Sequence, residues 1–457
     1  MAVKTAAILT CLTSPFVPAL AEWPDRLEGH GGPVKSVTLD PSGKRLLSTS
    51  FDYSVLVWSE DEAGEASAEP LRLIGHEAAV NDGRFLPGNR AVTVGDDSDL
   101  ILWDLTTAEL LHRFDGFGEK VLSVDVSANG RFAAVASWEN QARIYDLEAS
   151  PSKLLHVLDQ HRGNVNSVAF SKDGTQLFTA SYDGGIRQFD VETGAFLREI
   201  VNLGWGVNVL KVLPDGTSLF FGVTDGKTGV LDIWTGEEIK VLPPHTRPVL
   251  SLAVSLDGKR AASGGGDGLI RVFDAKTFEL LEEFENPYGL VWGLSFNADG
   301  NRLFYTGLDD EIHLWDVSPR KPFEALDIDF PRRFQVAETS DPGERQFARK
   351  CSVCHTLTPD GGNRAGPTLF GVFGRRAGGL EGYPYSEALI KADFFWDEKT
   401  ISDLFDHGPD IVTPGSKMPI QRLKSVEDRD ALVAFLKRAT DPSADQPNSQ
   451  ESGDQSQ

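Results

Sequence analysis

The stretch KCSVCHTLT, residues 350–358, holds the residues best spaced for chemistry: Cys351 and Cys354 stand three apart, and His355 follows at once. The only other cysteine among 457 residues is Cys11. On a helix, two thiols so spaced lie on one side and can add across the two vinyl groups of a haem, while the adjacent imidazole reaches the iron from below. A zinc site would need four ligands, and the chain beyond Cys11 has no third cysteine. A disulfide oxidoreductase places its C-x-x-C after a strand in a βαβ unit, an alternation missing from this region. Thioether attachment of a haem is therefore the expectation. The other face of such an iron needs its own ligand. Met418, in VTPGSKMPI, is the only methionine besides Met1. Cores that use methionine as filler usually hold several, so a lone thioether after a Pro-Gly turn reads as a placed sulfur ligand. His407 is the competing donor.

The elements that must position these groups are legible around them. Asp341-Pro342-Gly343-Glu344 has the form of a helix start, with an acidic cap, proline at the first position and glutamate three residues after the cap. That helix runs into the C-x-x-C-H motif. TISDLF reads as part of a middle helix, and SVEDRDALVAFLKRA as a last one with a serine cap and an acidic first turn. With GERQF, CSVCH, GGNRAGPTLFGVFGRRAG, GYPYSEAL, FFWDEKT, PGSKM and AFLKRAT in this order, residues 341–440 resemble a class I c-type cytochrome of the mitochondrial and α-proteobacterial kind. The resemblance implies an all-α domain carrying one covalent haem c with its iron. It makes Cys351 and Cys354 the attachment sites, His355 and Met418 the axial ligands, and the carbonyl of Pro367 the acceptor for the second His355 nitrogen. It sets Tyr385 and Trp396, with Arg375 or Arg376, at the haem propionates. It also implies that Phe347 packs on Leu432 and Phe435. The lysine fringe of the mitochondrial members is thin here.

Ahead of this domain lies a repeat. Turn glycines recur at 43, 88, 130, 174, 216, 258 and 300; nine residues after each comes an acid, and six further on Trp58, Trp103, Tyr145, Phe189, Leu231, Phe273 or Trp315. Between them run short period-2 segments such as SVTLD and SVLVW, the pattern of strands. Period, Trp-Asp endings and Gly-His openings (Gly29-His30, Gly75-His76) resemble the WD-repeat β-propellers. The resemblance implies seven four-stranded blades over residues 22–318, with the acid of each turn bonded to turn amides and to the opening histidine. Blades 3, 5 and 7 lack that histidine. EWPDRLEGH is expected to supply the outermost strand of the last blade and so close the ring. Phe51, Trp138 and Tyr182, each just before a turn acid, mark one rim as an expected docking patch. No catalytic constellation is visible in the repeat, and His112 and His156 read as structural.

The net charge is −24, and the segment 22–340 alone carries −21, while 341–440 is balanced. This argues against nucleic acid and anionic lipid as partners and for basic proteins. Residues 1–21, with Lys4, a short apolar run and Ala19-Leu20-Ala21, have the form of a cleaved export signal, so a periplasmic location without stable membrane insertion is expected. Residues 319–340 read as a linker and 441–457 as a disordered acidic tail. Together these features suggest a multidomain chain, an all-β propeller followed by an all-α cytochrome domain. It would carry electrons between partner proteins of unknown identity, the propeller docking them or touching its own cytochrome domain. The alternative is a propeller oxidoreductase whose haem domain is the electron outlet.

Overall fold

The seven turn glycines from Gly43 to Gly300 all take positive φ, between 67° and 76°, the left-handed backbone that glycine adopts without strain. Each closes the hairpin between the first two strands of a sheet. In this computed structural model the described residues are 23–60, 70–317 and 341–442, the last stretch without 353–354, 359–365, 382, 384, 386, 414–417, 419–421 and 424. The proposed export signal, the linker, residues 443–457 of the tail and Cys354 lie outside them.

The described strands form seven four-stranded antiparallel sheets. Blades 1 to 6 span 34–74, 80–114, 121–158, 165–202, 207–241 and 249–285, each with its strands in sequence order. Blade 7 takes three strands from 293–316 and its outermost strand from Arg26–Glu28, which pairs with Glu311–Asp316. The ring is thus closed by its own N-terminal segment. Middle strands such as Arg45–Ser50 are buried on both faces because neighbouring blades cover them, whereas the outer strand Glu238–Val241 is exposed throughout. The core is accordingly a series of inter-blade layers. One joins Leu86, Val92 and Leu102 of blade 2 to Val121, Val135 and Tyr145 of blade 3, and another joins Trp23 and Phe304 to Leu46 and Trp58 across the closure.

Among the described residues five helices follow: α1 (Pro342–Lys350), α2 (Glu387–Lys391), α3 (Glu398–His407), α4 (Pro409–Val412) and α5 (Val426–Ala439). Asp341 caps α1, accepting from the amides of Gly343 and Glu344, and Ser425 caps α5. Asp397 and Thr400 form a capping box at the start of α3. Phe347 of α1 meets Phe435 of α5 with ring centroids 5.7 Å apart and shares an apolar cluster with Leu432, Leu404 and Phe405. Cys351 belongs to the same cluster.

Candidate haem site and docking face

Helix α1 stops at Lys350, one residue before the motif that the sequence places on it. Cys351 is the C-cap, buried, with its amide donating to the Phe347 carbonyl at 2.8 Å. One more helical-type bond, from the His355 amide to the Cys351 carbonyl at 2.9 Å, carries the turn to the histidine. Cys351 and His355 are thus related by a single turn beyond the helix.

His355 Nδ1 lies 2.7 Å from the Pro367 carbonyl oxygen. A carbonyl only accepts, so the proton sits on Nδ1 and the Nε2 lone pair is left for a metal. Burial holds the imidazole below its usual range, against the opposing pull of that carbonyl, which keeps the ring neutral. Gly366 gives the ring its room: a Cβ there would stand 2.3 Å from His355 Cε1. Met418 packs against the apolar cluster that contains Cys351, and so does Trp396. Trp396 is tied to the 374–375 segment by two backbone bonds, its amide donating to the Arg375 carbonyl at 2.9 Å and its carbonyl accepting from the Gly374 amide at 2.8 Å, beside the bridge between Arg376 and Phe395. The Arg375 guanidinium donates to the Thr368 carbonyl at 2.7 Å, and Arg376 to the Ala392 carbonyl at 2.8 Å. Tyr385 lies near enough to Arg375 that the two influence each other's ionisation; burial raises the phenol. His407 is exposed in the last turn of α3.

A buried thiol, an imidazole with its outer nitrogen free and a thioether sulfur against an apolar floor form a soft, low-polarity donor set. It fits a covalently held iron porphyrin and does not fit a hard cation that wants oxygens.

In the propeller, the turn acids are held as the repeat implies where the histidine exists. His76 binds Asp97 through Nδ1 at 2.8 Å and Thr93 through Nε2 at 2.8 Å, and the Trp103 indole donates to the same threonine at 2.7 Å. His30, His161 and His245 make the corresponding pairs. Two of the three blades without it show another partner on the acid: Arg143 on Glu139 in blade 3, as Arg187 sits on Asp183 in blade 4, and His313, four residues further on, on Asp309 in blade 7. His156 bonds the Glu192 carbonyl and His112 packs edge-on against Phe114, both structural roles. On the innermost strands Arg84 is held by Asp82 at 2.6 Å and Asp125 at 3.7 Å.

Phe51, Trp138 and Tyr182 sit on the same rim but in different states. Phe51 is stacked on Trp292, 5.2 Å between centroids, with Lys35 over the indole at 4.6 Å. Trp138 is covered on one face by Lys120 at 3.7 Å. Tyr182 is 64 % exposed and borders Gly206, next to the 63 % exposed Trp205. Trp205 and Trp292 occupy the turns leading into blades 5 and 7. They lie outside the register of turn acids that singled out the other three, and an exposed tryptophan in a glycine-flanked turn, LGWG, was the available signal.

These features define a class, a seven-bladed propeller joined to a small helical domain built to hold a covalent haem. Comparison with known proteins agrees. A cytochrome c family model matches residues 340–440, and a WD domain, G-beta repeat model matches 24–59, 108–146, 152–190, 236–274 and 278–316. The three inner strands of blades 2 and 5 fall outside those matches, and these blades are counted from the sheets. Cytochrome c of Gibberella zeae is 39% identical over 98 residues, covering 21% of this chain and 92% of that protein. The protein of the same name from Nigella damascena is 40% identical over 104 residues, 23% of this chain and 93% of the relative, and that from Chlamydomonas reinhardtii 41% over 98 residues, 21% and 87%. Through its C-terminal domain the chain belongs to the cytochrome c family, and its cofactor is a covalently bound haem c with iron.

Proposed function

We propose that this protein is an exported one-electron carrier in which the propeller docks a redox partner close to the haem domain. The haem supplies a centre that stores and releases a single electron. The chain's own residues do the rest. Cys351 and Cys354 would anchor the group, and His355 through Nε2 and Met418 through its sulfur would ligate the iron, so that the protein itself would satisfy the metal and leave no open position for a substrate. The observation that carries the reading is the bond between His355 Nδ1 and the Pro367 carbonyl, because it orients the ring and leaves the outer nitrogen to bind. Tyr385, Trp396 and an arginine of the pair 375–376 would compensate the propionates. Tyr182 and Trp205 are the anchors of the docking rim, with Trp138 beside its lysine and Phe51 in a packing role. Residues 1–21 would direct export and be cleaved before Glu22. Expression with and without that segment in a Gram-negative host carrying haem-attachment machinery tests covalent attachment and export. The mature protein should begin at Glu22, be recovered from the periplasm, and keep its haem through acid-acetone extraction. Haem that is extracted, or a haem protein confined to the cytoplasm, would refute the covalent or the exported part respectively.

A further inference from the structure

At the rim opposite the docking face, a cleft of about 420 Å³ opens between blades 4 and 5, within the range of small-molecule sites. Its wall is Trp234, 60 % exposed. That indole has no part in making its turn. Trp234 follows Asp232 by two residues, and its amide donates to the Asp232 carboxylate at 2.8 Å. Thr106 and Lys276 make the same bond in blades 2 and 6 at 2.7 and 2.9 Å with side chains suited to water. An indole left open here is explained by something that covers it.

The floor of the cleft is prepared to meet a polar ligand. Arg198 donates to the carbonyls of Ile233 and Trp234, the latter at 2.6 Å, and so holds the indole's backbone in place. Its Nε donates to Gln188 Oε1 at 2.7 Å, and Gln188 Nε2 donates to Gln176 Oε1 at 2.6 Å. An arginine can only donate, so the orientation of both amides is forced along the chain, and Gln176 is left with its NH₂ group as a donor in the cleft. Asp173 lines the same cleft. Its Oδ1 accepts from Ser171, from the Thr175 amide and from the Thr175 hydroxyl, while among the described residues Oδ2 accepts no bond. Lys172 closes one side, its ammonium bonded to the Pro214 carbonyl at 2.9 Å, and Phe178 lies buried beneath.

We infer that this cleft binds a pyranose sugar, stacking the ring's C–H face on Trp234 while vicinal hydroxyls accept from Gln176 and donate to Asp173. A flat apolar face next to one fixed donor and one fixed carboxylate acceptor matches a sugar ring, whose hydroxyls give and take hydrogen bonds at its edge while its axial C–H groups form an apolar face. A purely apolar ligand would leave the amide and carboxylate unpaired, at a cost that disfavours it.

The test uses the full-length, haem-loaded, reduced protein and saturation-transfer NMR with cellobiose, maltose and chitobiose as separate probes. At least one should receive saturation on its ring C–H protons. Trp234→Thr, which installs the residue of blade 2, should reduce that transfer at least tenfold with haem spectrum and melting temperature unchanged, and Gln176→Met should also weaken it with the haem spectrum unchanged and the fold retained by circular dichroism. Absence of transfer from all three sugars to the unaltered protein would overturn the assignment. So would transfer that survives either substitution, and a partner protein binding through Trp234 without competition from any sugar.

Discussion

At His355 a single acceptor decides the chemistry, because the Pro367 carbonyl takes Nδ1 and leaves one direction for coordination. The adjoining glycine makes this possible. In Gly366→Ala the new methyl would meet the His355 ring at 2.3 Å, against a backbone that the Pro367 bond ties in place. The ring must turn, its second bond breaks, and the affinity of the imidazole for iron is expected to fall by about 10- to 100-fold, the usual cost of losing a metal ligand's orienting partner. Displacement of His355 by added imidazole, followed in the visible spectrum, measures it; an unchanged displacement curve would mean that the glycine does not hold the ring. Met418 gives the second prediction. On the proposed ligation, Met418→Leu keeps the apolar packing against the cluster of Cys351 and Trp396 but removes the sulfur. The sulfur-to-ferric-iron charge-transfer band should vanish, and the potential should drop by a sizeable part of the roughly 0.8 V that axial ligands span. Spectroelectrochemistry reads both.

Among the elements, the strand Arg26–Glu28 bears the greatest responsibility, since it joins the two ends of the ring. Trp23, just before it, is buried edge-on against Phe304 at 5.5 Å, and its carbonyl accepts from Arg302. Trp23→Ala should cost about 3–5 kcal/mol, the range for large aromatic truncations, and denaturant unfolding followed by far-ultraviolet circular dichroism should show it without loss of the haem bands. Blade 4 adds a pH dependence. Burial first, and the Arg187 guanidinium second, hold His161 down at about 4, against the pull of Asp183. The unfolded imidazole takes a proton near its ordinary value of about 6.5. The stabilisation is therefore complete above that pH and drains away as pH falls toward 4. Melting temperatures should decline over this window, and His161→Asn should flatten the decline; an unchanged slope would contradict it. How much of this could be read from the chain alone follows from the physics. The turn glycines and the closing strand were legible because positive φ and strand periodicity leave local marks. The His313–Asp309 pair was not, because the imidazole stands four residues after the acid and not at the opening position where the repeat carries it. The end of α1 at Lys350, and the Arg198–Gln188–Gln176 chain across three strands, depend on tertiary contacts without local pattern. At the proposed haem site, the types and spacing of Cys351, His355 and Met418 stand in the sequence, whereas the closeness of Gly366 to the imidazole emerges only from the ring lying against it.

At the scale of the molecule, the question is what an acidic propeller contributes to a haem domain of balanced charge. The chain between Val317 and Asp341 can span at most about 80 Å, so a partner held on the rim of Tyr182 and Trp205 stays within the haem domain's reach. Tethering then converts a second encounter into an intramolecular one, at an effective concentration on the order of millimolar. Removal of residues 22–318 should therefore slow electron exchange with the native partner by about 10²-fold or more at micromolar concentrations, while the potential and spectrum of the isolated haem domain stay the same. At saturating partner the two forms should converge, because the tether changes encounter and not transfer. The double substitution Tyr182→Ala, Trp205→Ala should reproduce much of the loss if the rim is the contact, since exposed aromatics of this kind carry most of a small interface's energy. With −21 charges ahead of the haem domain, attraction to a basic partner should weaken as ionic strength rises and the screening length shrinks to about 10 Å at 0.1 M. Stopped-flow rates across a salt series separate these effects. A full-length rate that is independent of salt and equal to that of the truncated form would remove the propeller from electron transfer altogether and leave its role to whatever occupies the cleft on its other rim.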